Sequence, residues 1–279
     1  MRPIPTNEHP PRGLHDAPAS RTLALITGAS SGIGAAYARA LAPGHDLILV
    51  ARRTDRLRAL AGELELLGGA VYVLTADLAT REGLATVTTR LAVGDVRLLI
   101  SNAGTAGYAR LTDLSPAEVD RLLTLNAMAP LHLARAALPG MLAAGSGAVI
   151  AVASLMAFSA ANPDPRMPPR TLYCAAKAAT VAFTRQLACE MAGTAIRIQV
   201  VCPGVTATEF NGGFGRSISS AMAPDDVAHA SLTALRLGET VCIPGLHDQA
   251  AALSVIERAE AALLAGGNRP GLAARYTAA

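Results

Sequence analysis

A single lysine follows a tyrosine by four positions in this chain. Of the 24 lysine and arginine residues only Lys177 is a lysine, and Tyr173 precedes it in the run LYCAAK. Residues four apart share one face of a helix. An ammonium has an adjustable pKa, whereas an arginine stays protonated. A cation beside the phenol would lower the tyrosine pKa, so the pair predicts an acid or base that works near neutral pH. The alternative is that one lysine persists by chance in an arginine-rich chain.

A second chemical feature is the glycine-rich run TGASSGIG from Thr27 to Gly34. It joins an apolar run, 23–27, to a helical pattern over 32–41. Glycines allow a tight turn, and the free N–H groups of the helix start attract an anion. Three glycines alone are weak evidence, but a strand before them and a helix after them predict a dinucleotide-binding turn.

The residues after the next apolar run bear on the type of dinucleotide. Arg52 and Arg53 follow it, and no Asp or Glu occurs over 47–54. An acid there would bind ribose hydroxyls of NAD, whereas an arginine suits the 2′-phosphate of NADP. We therefore predict NADP(H) in preference to NAD(H), with Ser30 adding a hydroxyl. The alternative, two solvated residues opening a helix, is stronger for Arg53 than for Arg52.

Apolar runs alternate with helical patterns along the chain, which predicts a parallel sheet covered by helices on both faces. We expect an α/β fold with a Rossmann-like, doubly wound sheet of about seven strands. Residues 1–21 form a predicted flexible leader and 22–279 a single domain. The predicted strands are 23–27, 46–51, 71–75, 96–101, 148–153, 196–201 and 241–243. The predicted helices are 32–41, an arginine-rich helix that follows residue 51 and runs to about 67, 81–91, 116–144 with an interruption near Pro130, 172–191, 224–237 and 248–264.

Composition narrows the class of protein. The net charge of +3 is small and the arginines are scattered, so nucleic acid is not a predicted partner. No apolar run reaches the length of a membrane span, so a membrane is not a predicted partner either. The four cysteines, Cys174, Cys189, Cys202 and Cys242, lie in apolar runs without metal-ligand spacing. We interpret them as small buried hydrophobic residues in a reducing, cytoplasmic location, and predict no metal site.

Together these residues resemble the short-chain dehydrogenase/reductase family over about residues 22–208. The family's glycine motif matches Thr27 to Gly34, and its Tyr-x-x-x-Lys matches Tyr173 and Lys177. The further matches, in family order, are Asp77, the run Ser101-Asn102-Ala103-Gly104 with serine for the first asparagine, Asn126, Ser154, Pro203, Gly204 and Thr208. Each motif alone is weak, but all of them in order are specific.

The resemblance implies roles for these residues. Tyr173 would exchange a proton with a carbonyl or alcohol oxygen, and Ser154 would hold that oxygen. Lys177 would lower the tyrosine pKa and bind the nicotinamide ribose, and Asn126 would hold a water that relays protons. From sequence alone, a helix break explains Asn126 and a strand-end cap explains Ser154 equally well. The implied cofactor-binding set is Gly28, Ser30, Ser31, Gly32, Ile33, Gly34, Arg52, Arg53, Asp77, Leu78, Asn102, Ala103, Gly104, Tyr173, Lys177, Pro203, Gly204, Thr206 and Thr208.

Two departures from the family limit the substrate assignment. Ser154 precedes Tyr173 by 19 positions, which places an insertion of roughly six residues in the proline-rich segment 159–171. The chain also ends in a further helix after the run VCIPGLH, which argues against a role in fatty-acid synthesis. The segment 206–222 is rich in Gly and Ser and is predicted to be mobile. Pocket candidates, each of which could equally be core, are Met156, Phe158, Phe210, Phe214 and Met222.

The leading hypothesis is therefore an NADP(H)-dependent oxidoreductase that acts on a small, apolar carbonyl or alcohol. One alternative is a non-catalytic NADP-sensing or partner-binding protein on the same fold, and another is an enzyme for dehydration or epimerisation. The family resemblance also implies a homodimer or homotetramer.

Overall fold

One parallel sheet of seven strands forms the core of the computed structural model, which describes residues 21–160 and 167–277. The strand order is β3-β2-β1-β4-β5-β6-β7, and every neighbouring pair is parallel. The strands are β1 (Thr22–Thr27), β2 (His45–Ala51), β3 (Val71–Thr75), β4 (Val96–Ser101), β5 (Gly147–Val152), β6 (Ile196–Val201) and β7 (Val241–Cys242). The doubly wound prediction is confirmed, with strand ends that differ from the predicted ones by at most one residue.

Helices cover both faces of this sheet, because successive strand residues point to opposite sides. Ile26 of β1 packs with one group of helices and its neighbour Leu25 packs with the other. The first group is α1 (Gly32–Leu41), α2 (Thr54–Glu65) and α7 (Pro224–Leu237); the second is α3 (Arg81–Leu91), α5 (Ala129–Ala143) and α6 (Thr171–Glu190). Two more helices are α4 (Pro116–Leu123) and α8 (Gln249–Gly267).

The predicted long helix over 116–144 is divided by a wide turn rather than by Pro130 itself. A π-helical turn, Thr124–Met128, joins α4 to α5, and Pro130 lies in the first turn of α5. Proline has no N–H group, so Pro130 cannot donate the usual helical bond to the carbonyl four residues earlier, that of Asn126. The interruption therefore lies near Pro130, as predicted, in the turn directly before α5.

The carboxyl ends of the strands collect the candidate functional residues at one edge of the sheet, where such folds bind ligands. The strand order reverses between β1 and β4, which opens a crevice at that edge. The predicted leader lies outside the described residues except for Arg21, and so do residues 161–166 of the predicted insertion. Over the described ranges, no helix combines the length and the apolar character that a membrane span requires.

Candidate active site

Tyr173 and Lys177 lie side by side on α6. Tyr173 is 5% exposed and Lys177 is 4% exposed. The lysine Nζ lies 5.9 Å from the centroid of the tyrosine ring and donates a hydrogen bond of 2.9 Å to the carbonyl of Val152, the last residue of β5. The predicted proximity is confirmed, and the ammonium is anchored to the sheet edge.

Burial determines the pKa of both groups. It raises the pKa of Tyr173, and the neighbouring Ser154 hydroxyl offsets only part of that effect. It also lowers the pKa of Lys177 to about 8. The sequence predicted a lowered tyrosine pKa, and this direction is wrong: the pKa is raised, because loss of water around the phenolate is the largest influence on it. At pH 7 the phenol is therefore neutral and able to donate a proton.

Asn126 joins three elements at the wide turn. Its side chain accepts a hydrogen bond from the backbone N–H of Thr105 (3.1 Å) and donates one to the carbonyl of the same residue (2.9 Å). The Thr180 hydroxyl donates to its backbone carbonyl, the one to which Pro130 cannot donate, at 2.9 Å. This arrangement fits the helix-break interpretation of Asn126 and fixes the loop after β4 against α6.

Gly104 lets that loop approach the buried lysine closely. A Cβ atom at Gly104 would lie 2.8 Å from Asn126 Oδ1 and 3.5 Å from Lys177 Nζ. The polar atoms of both residues therefore meet a bare backbone at the sheet edge.

Ser154 lies two residues beyond β5 and has two kinds of neighbour. Its Oγ accepts a hydrogen bond from the Met156 N–H (3.1 Å), which caps a short 3₁₀ turn, Leu155–Phe158. The same hydroxyl lies beside the Tyr173 phenol and lowers its pKa. The cap predicted as an alternative is present, and so is the contact with the tyrosine.

The glycine-rich turn is packed too closely for side chains. A Cβ at Gly34 would lie 2.4 Å from the Gly28 carbonyl oxygen, and one at Gly28, whose φ is +67°, would lie 2.7 Å from Asn102 Nδ2. Asn102 in turn donates to the Thr27 carbonyl (3.0 Å), while its N–H and that of Ala103 bind Thr27 Oγ1 at 2.9 and 3.0 Å. This is a bare backbone cradle at a helix N-terminus, which fits a pyrophosphate.

The segment after β6 lies over this turn. A Cβ at Gly32 would lie 3.0 Å from Thr208 Cγ2, so the buried Thr208 sits directly above the start of α1. Pro203 accepts a backbone hydrogen bond of 2.9 Å from Leu155, and Thr206 pairs with Met222 in an isolated bridge. The predicted residues of this segment therefore form one wall of the crevice.

The two arginines after β2 take different directions. Arg53 donates to Ser30 Oγ (2.9 and 3.1 Å) and to Ser31 Oγ (2.7 Å). Arg52 instead lies 3.9 Å from Asp77 and is more exposed than Arg53. The structure thus places Arg53 at the turn, although the solvated alternative was the stronger one for this arginine. Arg53 directly precedes α2, and from there its guanidinium reaches the two serines before α1.

Three predicted cofactor contacts are partly structural. Leu78 is buried in the core, and Ile33 and Ala103 pack against core clusters. Because these three side chains pack in the core, we expect only the backbone groups of the three residues to contact a cofactor.

The structure also adds residues that the sequence analysis did not select. Tyr108 meets Tyr173 edge to face, with ring centroids 5.3 Å apart; Phe210, which the sequence already indicated as a pocket candidate, lies 6.1 Å from the same ring. Arg56 and Glu209 form an ion pair of 2.6 Å beside Arg53. For Arg56 a signal existed, since it follows Arg53 by three positions on a helix; Tyr108 and Glu209 lie in loops without a periodic pattern.

The apolar pocket candidates separate into two groups. Phe158, Phe210 and Phe214 are exposed, at 36%, 38% and 52%. Met222 packs against a core cluster, so for this residue the core alternative holds in part. The exposed aromatic rings lie on the segments that flank Tyr173.

Comparisons with known proteins bear on the family of this chain. The family model for short chain dehydrogenases matches residues 22–223. An uncharacterized oxidoreductase of Staphylococcus aureus is 31% identical over 216 residues, which cover 76% of this chain and 90% of the relative. A short-chain dehydrogenase from Sphingobium yanoikuyae, solved in complex with NADPH, is 36% identical with a TM-score of 0.84, over 91% of this chain and 99% of that one.

A second solved structure is the bulky-bulky ketone specific alcohol dehydrogenase from Comamonas testosteroni. It is 31% identical with a TM-score of 0.83, and the match covers 92% of this chain and 99% of that one. Sequence, fold and site geometry agree, and the chain belongs to the short-chain dehydrogenase/reductase family as an oxidoreductase enzyme.

Proposed function

We propose that this enzyme is an NADP(H)-dependent oxidoreductase that interconverts a carbonyl and an alcohol, with Tyr173 as the general acid and base. The observation that carries the proposal is the buried, neutral phenol with Ser154 beside it and Lys177 one turn away, at the ligand-binding edge of the sheet. A neutral phenol is the form needed to protonate a carbonyl oxygen.

The chain's own residues would then divide the chemistry as follows. The Tyr173 hydroxyl donates its proton to the substrate oxygen during reduction and receives it back during oxidation. Ser154 hydrogen-bonds that oxygen and stabilises the charge that develops on it. Lys177 holds the nicotinamide ribose, and its ammonium stabilises the phenolate that remains after proton transfer. The cofactor, when bound, supplies or accepts the hydride.

Asn126 has a positioning role in this proposal. Its side chain fixes Thr105, and thereby the loop that borders Lys177. Its carbonyl accepts from Thr180 and keeps a second lone pair, which could hold the relay water that the family resemblance implies.

We assign the cofactor preference to the arginine at the turn. Arg53, with Ser30 and Ser31, offers a cluster of donors that suits a 2′-phosphate. Arg52 and Asp77 border the adenosine end, and the glycine cradle with Asn102, Ala103 and Gly104 takes the pyrophosphate and nicotinamide ends. The NADPH bound to the Sphingobium yanoikuyae relative supports a nicotinamide cofactor.

The rings near Tyr173 favour a bulky, apolar substrate. Phe210 lies 6.1 Å from the phenol ring, and Phe158 and Phe214 add exposed aromatic surface on the two short 3₁₀ segments that follow β5 and β6. The specificity named for the Comamonas testosteroni relative supports bulky ketones as the first compounds to test. We further propose that the enzyme forms a homodimer or homotetramer, which light scattering would test. The proposed location is cytoplasmic.

Tyr173→Phe tests the function directly. A panel of bulky ketones and the matching alcohols is assayed by the absorbance of NADPH, with dissociation constants measured in parallel. We expect kcat to fall by about 10²- to 10⁴-fold in the variant while NADPH binding changes by less than about twofold. Tyr72→Phe, which removes an exposed phenol hydroxyl on β3, is the matched control and keeps full activity. Retained turnover in Tyr173→Phe would contradict the assignment.

A further inference from the structure

A carboxylate occupies the arginine cluster beside the glycine-rich turn. Glu209 Oε2 accepts hydrogen bonds from Arg53 (3.0 Å) and Arg56 (2.6 Å). Arg216, on the same segment as Glu209, lies 3.8 Å from its other oxygen. Arg53 and Arg56 hold the pKa of Glu209 below its usual value, so the group is an anion at neutral pH.

This anion lies at the position where the proposed function requires another one. The Arg53 guanidinium that binds Glu209 also donates to Ser30 and Ser31. Two arginines and two serine hydroxyls at a helix N-terminus are a donor set for a phosphate, and here a carboxylate from the chain itself engages it. Glu209 reaches it from a distant part of the sequence, because the segment after β6 lies over the turn.

We infer that Glu209 is an internal counter-ion that occupies the 2′-phosphate site and competes with NADP(H) for Arg53, and that it thereby sets the degree of preference for the phosphorylated cofactor. This inference rests on the proposed function. A 2′-phosphate carries more charge than a carboxylate and has three acceptor oxygens, so it can displace Glu209 from Arg53. The displaced carboxylate keeps Arg56 and Arg216 as neighbours, so its exchange for the phosphate requires little free energy.

The effect is selective because only the phosphate meets the carboxylate. A nucleotide without a 2′-phosphate places no second anion at Arg53, so Glu209 has nothing to compete with. Glu209 is exposed to solvent on one side, and exposed ion pairs contribute little each. The expected change in affinity is therefore modest but confined to one class of ligand.

Binding of 2′,5′-ADP and 5′-AMP, measured by calorimetry, tests the inference without the nicotinamide or any turnover. The two nucleotides differ by the 2′-phosphate alone. In Glu209→Gln we expect 2′,5′-ADP to bind roughly threefold more tightly and 5′-AMP to be unchanged. Glu63→Gln is the matched control, since Glu63 forms a comparable pair with Arg39 (2.7 Å) at the opposite ends of α1 and α2; it leaves both nucleotides unchanged.

The outcomes separate this inference from the proposed function. Suppose that the wild type prefers 2′,5′-ADP to 5′-AMP and that Arg53→Ala abolishes this preference. If Glu209→Gln then binds 2′,5′-ADP no more tightly than the wild type does, Glu209 is not a competitor. If the wild type itself shows no preference for 2′,5′-ADP, the NADP(H) assignment fails first. Raised salt gives a second readout, because it screens an exposed pair: the difference between Glu209→Gln and the wild type should shrink, and a salt-independent difference would also overturn the inference.

Discussion

The two ends of the crevice hold their charges in opposite ways. At the end that we propose to be catalytic, the ammonium of Lys177 is buried, and within residues 21–160 and 167–277 it has one fixed acceptor, the Val152 carbonyl. At the proposed adenosine end the Arg53 side chain is 43% exposed. It donates hydrogen bonds to the hydroxyls of Ser30 and Ser31 and to the carboxylate of Glu209. A buried cation has one geometry available, whereas an exposed one can exchange partners when a ligand arrives.

This difference determines how strongly each end responds to substitution. Removing a buried polar group leaves a desolvated partner without a bond, which costs more than the bond itself contributed. Removing an exposed arginine leaves partners that water can satisfy. The catalytic end should therefore show large losses, and the adenosine end small, ligand-specific ones.

The largest effect is expected at the buried lysine. Lys177→Met removes the charge that would stabilise the Tyr173 phenolate, and we expect kcat to fall by about 10³-fold at saturating cofactor. Lys177→Arg is the companion variant: it keeps the charge but brings a larger, planar group into a buried site that offers one carbonyl. It too should lose most of its activity. An active Lys177→Arg enzyme would show that charge alone, and not a fixed ammonium, is what this end requires.

A smaller effect is expected from filling the glycine cradle between the two ends. A Cβ at Gly34 would lie 2.4 Å from the Gly28 oxygen and 2.6 Å from Asn102 Nδ2, so Gly34→Ala should lower the free energy of unfolding by about 1–3 kcal/mol. It should also weaken NADPH and NADH alike, because the pyrophosphate is common to both. Calorimetric unfolding and binding measure these effects.

Gly62→Ala is the control for the glycine cradle. Gly62 is an exposed residue of α2, and a Cβ there meets nothing within 4 Å. Alanine is a better helix former than glycine, so this variant should gain about 0.5–1 kcal/mol. A Gly34→Ala protein as stable as the wild type would mean that the cradle tolerates a side chain and that the turn is looser than its contacts indicate.

The same contrast explains what the sequence could predict. The order of the strands, the Tyr173–Lys177 pair and the glycine turn were predictable because buried elements leave periodic patterns and close packing admits few residue types. Asn126 was placed on the right helix, but the wide turn around it depends on the carbonyl to which Pro130 cannot donate and on Thr180, which lies elsewhere in the sequence.

The roles of the two arginines were hardest to predict from sequence, because they depend on exposed contacts with residues far along the chain. Arg52 and Arg53 are adjacent and chemically identical, and only their neighbours Asp77 and Ser30 distinguish them. The direction of the Tyr173 pKa was wrong because spacing shows which charges are near and not how much water a group loses.

A moderate effect at the adenosine end would separate the two arginines. Arg53→Ala removes the donor to Ser30 and Ser31, and we expect NADPH to bind about tenfold more weakly while NADH changes little. Arg52→Ala, in which the lost contact is a 3.9 Å pair with Asp77, should change NADPH binding by less than about threefold. The reverse ranking would restore the assignment that the sequence alone favoured.

The smallest expected effect is on the pH dependence of the free energy of unfolding, which burial of Lys177 alters. Burial lowers the Lys177 pKa from 10.5 to about 8, so between these values the unfolded chain binds more protons than the folded one. The wild type should therefore become more stable relative to Lys177→Met as pH rises through 8, by about 1 kcal/mol between pH 7 and 9. Burial raises the pKa of Cys202 and Cys242 to about 12, an effect of opposite sign. Lys177 lowers the Cys202 pKa, so its removal raises that pKa further, but both thiols stay protonated in either folded protein up to pH 9 and their effect cancels in the difference. Paired denaturant titrations without cofactor measure it. A pH-independent difference would mean that the ammonium keeps its water, and the contrast between a buried and an exposed end would then lose its physical basis.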